Sequence, residues 1–293
     1  MKIRDNAMNR QDDNDDSVIS HMRNKAIGVF DSGVGGLTVL EALRQRLPHE
    51  DFIYLGDTAR VPYGNRTPQT IVKYATSCAR QLVERDVKAL VIACNTACAH
   101  ALEALRSTFH IPVFGVIAPV SEQAVKTTQT QSIGVIGTRA TISSQSYTRA
   151  IATLAPEIAV HSLACPLFVP LVEEGWIDNK ATLMVVETYM DKLFCQPHAE
   201  TIDTLILGCT HYPVLKTVIA QYLQTRGRNV MLCDCGMAAA SVLEKSLETS
   251  GLLCDSDRPG NTMYFVTDDP VQFAFIGRSF MKQPPECVQH IDI

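Results

Sequence analysis

The chain carries the segment ALVIACNT at residues 89–96, and a related segment, TLILGCTH, follows at residues 204–211. In both, a short apolar run leads to a small residue, a cysteine and then hydroxyl, amide or imidazole side chains. A second pair of segments, IGVFDSG at 27–33 and IGVIGTR at 133–139, repeats an apolar run and the polar turn after it. The two repeats predict a chain of two related halves.

Short apolar runs alternate with helix-period stretches from residue 25 onward, which is typical of βαβ units and a parallel sheet. We predict an α/β fold: two similar lobes with mainly parallel sheets, related by pseudo-twofold symmetry, with the active site between them. The predicted strands cover residues 26–30, 52–55, 89–93, 113–116, 132–136, 159–163, 204–207, 230–233 and 262–266. An amphipathic helix is predicted over residues 71–83, with Thr67 as its cap and Pro68 in its first turn.

The repeat also suggests how the chain divides between the lobes. We expect residues 22–117 plus 232–293 to form the first lobe and residues 118–231 the second. Residues 1–21 contain an acidic run and no apolar periodicity, so we predict a disordered tail there.

Composition excludes several classes of partner. The chain has 26 Lys and Arg against 31 Asp and Glu, a net charge of −5, and no basic run, which argues against nucleic-acid and anionic-membrane binding. It also lacks an apolar stretch of about 18 residues, the length needed to span a membrane. Its ten cysteines are dispersed without regular spacing, which predicts free thiols in the reducing cytoplasm. A small molecule is therefore the expected partner.

The repeated cysteines, Cys94 and Cys209, are the strongest candidates for chemistry. Ligands of parallel α/β sheets bind at the carboxyl ends of strands, so two facing lobes would place these thiols on opposite walls of one cleft. Either residue alone is best explained as a buried core cysteine, but the matched pair favours function. A thiol at a helix N-terminus has a lowered pKa. Two thiols flanking a carbon acid could remove its α-proton on one face and return a proton to the other.

Cofactor and metal sites are not indicated. The glycines at 33, 35 and 36 do not have the G-x-G-x-x-G spacing of a dinucleotide-binding loop. Cys94, Cys98 and His100 lack the paired C-x-x-C pattern of a zinc module, so we predict no metal and no cofactor.

Four runs in this chain closely resemble the bacterial glutamate racemases: IGVFDSGVGGLTVL (27–40), YLGDTARVPYGNRT (54–67), LVIACNTA (90–97) and LILGCTHYPVL (205–215). The resemblance covers residues 25–280, about the whole globular part. It implies cofactor-independent interconversion of L- and D-glutamate, which supplies D-glutamate for peptidoglycan precursors.

The same resemblance implies roles for individual residues. Cys94 and Cys209 match the two proton donors and acceptors, with Asp31 and His211 as auxiliary residues that also contact substrate. The further substrate-binding positions are Ser32, Tyr63, Gly64, Asn95, Thr96, Thr138 and Thr210. An additional acidic position near the second cysteine falls on Glu173 or Glu174, and the sequence leaves the choice open. The run Asp234-Cys235-Gly236 departs from the Asp-Ser-Gly of many relatives, which we expect to affect only a structural turn.

Three other interpretations remain open from the sequence. The chain could racemise aspartate or another carbon acid, bind a small molecule between its lobes without chemistry, or use a single cysteine as the nucleophile of a hydrolase or transferase. The oligomeric state is also open, with a homodimer as the assembly to test.

Overall fold

The computed structural model describes residues 21–293. In chain order the strands are β1 (Ile27–Asp31), β2 (Phe52–Gly56), β3 (Ala89–Ile92), β4 (Val113–Gly115), β5 (Ser132–Gly137), β6 (Ala159–Ala164), β7 (Thr204–Gly208), β8 (Met231–Asp234), β9 (Thr262–Val266) and β10 (Gln289–His290). The α-helices are α1 (Leu37–Arg46), α2 (Pro68–Val83), α3 (Asn95–Thr108), α4 (Ile117–Thr127), α5 (Arg139–Ser143), α6 (Ser146–Leu154), α7 (Phe168–Glu173), α8 (Lys180–Phe194), α9 (Lys216–Thr225), α10 (Cys235–Thr249) and α11 (Pro270–Gly277). Short 3-10 helices lie at Thr58–Arg60, Tyr63–Asn65, Ala199–Thr201 and Tyr212–Leu215.

The strands form two sheets in which the paired strands run parallel. The first has the order β10-β9-β2-β1-β3-β4 and the second the order β6-β5-β7-β8. The second sheet therefore repeats the order β2-β1-β3-β4 of four strands of the first, which confirms the predicted α/β fold of two similar lobes.

The register is repeated as well as the strand order. Phe30 of β1 pairs with Ile92 of β3, and at the equivalent place Ile136 of β5 pairs with Leu207 of β7. Each cysteine of the repeat follows two residues after the strand residue of this pair. The two sheets therefore deliver Cys94 and Cys209 to the same position relative to their strands.

Strands β1 and β5 occupy equivalent places in the two sheets, and each contains a glycine that packs closely against a leucine of the neighbouring strand. A Cβ added to Gly28 would lie 2.9 Å from Leu90 Cδ2, and one added to Gly134 would lie 2.9 Å from Leu205 Cδ1. Strands β1, β2, β3, β5 and β7 are buried along their whole length. Such continuous burial explains why these strands read as apolar runs, without the alternation of a half-exposed strand.

All nine predicted strands are present, with ends that differ by at most one residue. The additional strand β10 has only two exposed residues, Gln289 and His290, and is fixed by pairing with β9. Its polar sequence gave no strand signal. The predicted helix is α2, where Thr67 caps the Thr70 amide and Pro68 opens the first turn.

The proposed lobe boundary at residue 231 falls inside β8, which pairs with β7 through Met231, Leu232, Cys233 and Asp234. The chain leaves the second sheet only after this strand, where α10 packs against both α1 and α4. The division into lobes is otherwise retained as a prediction. The predicted tail lies outside the described residues, except for His21, which is helical and exposed.

The helices of the described part of the chain are all too short or too polar to cross a membrane. The ten cysteines are free.

Candidate active site

A cleft of about 580 Å³ lies at the carboxyl ends of strands from both sheets. The residues after β1, β2 and β3 form one wall, and the residues after β5, β6 and β7 form the other. The predicted site residues that line it are Ser32, Tyr63, Gly64, Cys94, Asn95, Thr96, Thr138, Cys209, Thr210 and His211. The two sheets therefore bring together ten of the eleven predicted positions, including both cysteines.

The first wall holds Cys94 at the N-terminus of α3. Its sulfur accepts a hydrogen bond from the Ala97 amide at 3.5 Å, and its thiol donates to Ser32 Oγ at 3.3 Å. The side chain is 5% exposed, so the thiol is nearly enclosed but still lines the cleft. Helix α3 begins directly after this residue, which points backbone N–H groups toward the thiol.

Asp31 is the one predicted site residue that does not line the cleft. It is 1% exposed and lies behind the first wall, where its Oδ2 accepts a hydrogen bond from the Gly33 amide at 2.9 Å. Burial raises the pKa of the Asp31 carboxyl, and the charge of His211 opposes this effect. Asp31 is therefore placed to act on groups of the site through its charge.

The second wall surrounds Cys209 with a different set of groups. The sulfur lies 3.9 Å from His211 Nδ1, and His211 Nε2 lies 2.9 Å from Glu173 Oε1. Phe280 packs edge-on against the imidazole at 5.4 Å between ring centroids. A carboxylate only accepts hydrogen bonds, so Nε2 donates to Glu173 and Nδ1 is the ring nitrogen that faces the Cys209 sulfur.

These contacts settle which glutamate lies near the second cysteine. Glu173 contacts His211, whereas Glu174 is exposed and lines a shallow surface pocket with Leu171 and Trp176. The two glutamates are adjacent in the sequence, so only the directions of their side chains in the folded chain distinguish them.

The pKa values of both thiols are raised. Burial raises the pKa of Cys94 to about 11, and the Asp31 carboxylate adds to the increase, while Ser32 and the Ala97 amide oppose it. Burial also raises the pKa of Cys209 well above its usual value, against the effect of the His211 backbone amide. The lowering expected from a helix N-terminus is therefore present at Cys94, but desolvation outweighs it.

Hydroxyl groups join the two walls at one end of the cleft. Thr96 Oγ1 from the first wall lies 3.0 Å from Thr138 Oγ1 and 3.2 Å from Thr141 Oγ1 of the second. Gly64 also approaches the second wall, since a Cβ there would lie 3.0 Å from Thr138 Cβ. Tyr63 beside it is fixed by a hydrogen bond from its hydroxyl to Asp57 Oδ2 at 2.5 Å.

Two contacts of the site could not be expected from the sequence motifs. Tyr147 of α6 donates a hydrogen bond to Asn95 Oδ1 at 2.5 Å, and the Cys235 sulfur lies 3.5 Å from the same oxygen. The cysteine that departs from the family pattern thus touches a cleft residue, which corrects our expectation that it concerns only a turn. Both contacts join positions far apart in the sequence and carry no local signal.

Within residues 21–293, no group of three or more His, Cys, Asp or Glu side chains could hold a metal ion. Cys98 donates to the Ile92 carbonyl at 3.0 Å and accepts from the Val116 amide, so it packs inside the first lobe. His100 contacts the Ala140 carbonyl.

Comparison with known proteins identifies the family. The sequence model of the Asp/Glu/hydantoin racemase family matches residues 33–243. The chain belongs to this family. It is 49% identical to a glutamate racemase from Geobacter metallireducens over 88% of this chain and 93% of that protein.

Solved structures of family members share the fold over nearly their whole length. A glutamate racemase isoform from Bacillus anthracis has a TM-score of 0.86 and 36% identity, covering 92% of this chain and 98% of its own. A glutamate racemase from Francisella tularensis, solved in complex with D-glutamate, has a TM-score of 0.84 and 37% identity, with the same coverage.

Proposed function

We propose that this chain is a glutamate racemase that interconverts L- and D-glutamate without a cofactor and supplies D-glutamate for peptidoglycan synthesis. The observation that carries the proposal is the pair of thiols at equivalent strand ends, which line one cleft from opposite walls. The relatives named glutamate racemase support the choice of substrate.

The reaction requires one thiolate and one thiol. The thiolate on one wall removes the α-proton: the Cα–H bond breaks, an S–H bond forms, and the electron pair stays on the carbon and its carboxylate. The thiol on the other wall then gives its proton to the opposite face of Cα and becomes a thiolate. The stereocentre is inverted, and the two sulfurs have exchanged protonation states.

The neighbours of each thiol fit auxiliary roles. On the second wall, His211 Nδ1 faces Cys209, so the imidazole accepts the thiol proton or, once protonated, stabilises the thiolate. Glu173 holds this ring by its other nitrogen. On the first wall, Asp31 acts through its charge on Cys94 and Ser32 hydrogen-bonds the thiol.

The remaining polar residues of the cleft fit a substrate with two carboxylates and an ammonium group. Side-chain donors come from Asn95, Thr96, Thr138 and Thr210, and the segment of Tyr63 and Gly64 adds a wall on the first side. Donors directed at the carboxylate beside Cα stabilise the charge that develops there in the transition state.

We also propose that the enzyme works in the cytoplasm, because ten free thiols are stable in a reducing compartment. A homodimer is the assembly that we propose to test by light scattering coupled to size-exclusion chromatography. A nucleic-acid or membrane partner is not part of the proposal.

Proton NMR of L-glutamate in D₂O tests the function directly. The purified protein is used with a metal chelator and without pyridoxal phosphate, and a variant with both Cys94→Ala and Cys209→Ala is the control. We expect the α-proton signal to disappear and D-glutamate to form with the wild type only. Folded wild-type protein that exchanges neither L- nor D-glutamate would refute the proposal, and exchange of aspartate alone would favour the sibling racemase.

A further inference from the structure

The amide of Asn95 is only half satisfied. Asn95 is the first residue of α3 and lines the cleft, although it is only 2% exposed. Its Oδ1 accepts the hydrogen bond from Tyr147, whereas its Nδ2 has no hydrogen-bond partner among the described residues. A buried N–H₂ group without an acceptor is costly, so an unpaired one at a cleft wall indicates that a ligand supplies the acceptor.

Tyr147 determines which way this amide faces. It lies on α6, on the side of the second sheet, and is 2% exposed. Burial raises the pKa of its phenol well above the usual value, so the hydroxyl keeps its proton. The Cys235 thiol lies 3.3 Å from that hydroxyl and from the Leu207 carbonyl, and 3.5 Å from Asn95 Oδ1. The hydroxyl of Tyr147 and the thiol of Cys235 therefore both lie against the oxygen of the Asn95 amide.

An amide is planar and carries its oxygen and nitrogen on opposite sides of the same carbon. Fixing Oδ1 against Tyr147 thus fixes the direction of the N–H₂ group of Asn95. The donor is held by a residue of the second lobe although Asn95 itself belongs to the helix after Cys94.

We propose that Tyr147 is a positioning residue for substrate binding, which holds Asn95 so that its side-chain N–H₂ donates to a carboxylate oxygen of the substrate. The inference rests on the proposed function only for the identity of that carboxylate as one of glutamate. Without the tyrosine hydroxyl, only the longer contact with the Cys235 thiol holds the amide oxygen, so the amide can turn that oxygen toward the substrate, where it would repel the carboxylate.

The first test is Tyr147→Phe, which keeps the ring and removes only the hydroxyl. We expect the KM for glutamate to rise about threefold to tenfold, the range of one neutral hydrogen bond, with kcat changed by less than about twofold. Tyr222→Phe is the matched control, since that hydroxyl donates to Asp191 Oδ1 at 2.6 Å away from the cleft. A fall in kcat with unchanged KM would assign Tyr147 a merely structural role and overturn the proposal.

A double-variant cycle connects the effect to Asn95. If Tyr147 acts through the amide, Asn95→Ala combined with Tyr147→Phe binds glutamate no more weakly than Asn95→Ala alone. Asn95→Asp keeps the acceptor for Tyr147 but replaces the donor with a negative oxygen, so we expect its KM to exceed that of Asn95→Ala. Losses of the two single variants that multiply in the double variant would contradict the proposal.

A second readout does not depend on turnover. Asparagine side chains labelled with ¹⁵N give N–H₂ signals, and the Asn95 pair is identified as the one missing from Asn95→Ala. We expect this pair to shift in Tyr147→Phe and to stay in place in Tyr222→Phe. An unmoved pair in Tyr147→Phe overturns the proposal. A shifted pair in a protein that does not racemise glutamate would refute the proposed function and leave the positioning role standing.

Discussion

The two walls of the cleft have the same backbone plan and different chemistry. In both sheets a cysteine lies two residues after the equivalent strand residue, Ile92 in β3 and Leu207 in β7, and four strands have the same order. Around Cys94 the neighbours are a helix N-terminus, a serine hydroxyl and the buried Asp31. Around Cys209 they are an imidazole and the partly exposed Glu173 that holds it. The backbone therefore places the two sulfurs at equivalent positions, and the residues after the strands give them different chemical surroundings.

This difference suits a reaction with two distinct faces. A carboxylate near Cys94 disfavours its thiolate, whereas the imidazole near Cys209 can take or release a proton. Because L- and D-glutamate have equal free energy, no substitution changes the ratio of kcat/KM between the two directions of racemisation. Inequality between the walls must instead be measured by isotope exchange at Cα, enantiomer by enantiomer.

The largest effect is expected from removing either sulfur. Cys94→Ala and Cys209→Ala should each lower racemisation by about 10²- to 10⁴-fold, since each removes one of two obligatory proton carriers. The circular dichroism of glutamate itself follows the conversion of one enantiomer into the other. Cys195→Ala, which removes an exposed thiol away from the cleft, serves as the control and should keep full activity. A variant of one cleft cysteine that retains racemisation would favour a single-thiol mechanism.

A methyl group added at Gly35, which follows β1 on the first wall, should displace side chains of the second wall. A Cβ there would overlap with Thr210 Oγ1 and His211 Nδ1, so these side chains must move. We expect Gly35→Ala to lower kcat/KM about 10²-fold, the cost of displacing a catalytic group by about 1 Å. Gly64→Ala is the graded comparison, because its Cβ would meet Thr138 at 3.0 Å and require a smaller shift. Equal activities of the two variants would argue against this packing.

Glu173→Gln should affect the second wall alone. It replaces the negative partner of His211 with a neutral amide whose oxygen still accepts the hydrogen bond, and we expect kcat to fall roughly threefold to tenfold, the difference between a charged and a neutral hydrogen bond. The side chain is 36% exposed, which places the effect toward the lower end of that range. The adjacent Glu174→Gln is the control. Similar losses in both variants would show that the contact with His211 is not the cause.

The pH dependence of proton exchange at Cα should report the ionisation of Cys94 on the first wall. Since the pKa of Cys94 is raised to about 11, its thiolate fraction at pH 7 to 9 is small and grows as the pH rises. In Cys209→Ala, proton exchange by Cys94 should therefore increase about tenfold for each pH unit in that window. Asp31→Asn removes the neighbouring charge, lowers the pKa of Cys94 and moves the rise to lower pH. Exchange that does not change with pH would show that thiol ionisation does not limit the step.

The strands that carry this site and the positions of its two cysteines could be predicted from the sequence, because the sequence patterns that indicate them are local. The apolar runs around Val29 and Val91 predict buried parallel strands, and the rule that ligands bind at strand ends brings Cys94 and Cys209 together. The four family motifs supply the substrate and most of the lining residues.

The rest depends on contacts that the sequence does not encode locally. The choice between Glu173 and Glu174 needs the direction of each side chain, and the burial of Asp31 behind the wall needs the packing around it. The pairing of Tyr147 with Asn95 joins two helices through residues that lie 52 positions apart in the sequence. Desolvation of both thiols likewise follows from their burial in the folded chain, and at Cys94 it reverses the pKa shift that a helix N-terminus alone would give.

Deuterium exchange at Cα of separate L- and D-glutamate, measured in Cys94→Ala and in Cys209→Ala, tests whether the two thiols serve opposite faces of the substrate. Each variant retains one sulfur on one wall, which reaches only one face of the bound substrate. We expect a reciprocal pattern, in which one variant exchanges mainly one enantiomer and the other variant exchanges mainly the opposite one. If both variants exchanged the same enantiomer, or both enantiomers equally, the two thiols would not serve opposite faces and the two-thiol mechanism would be contradicted.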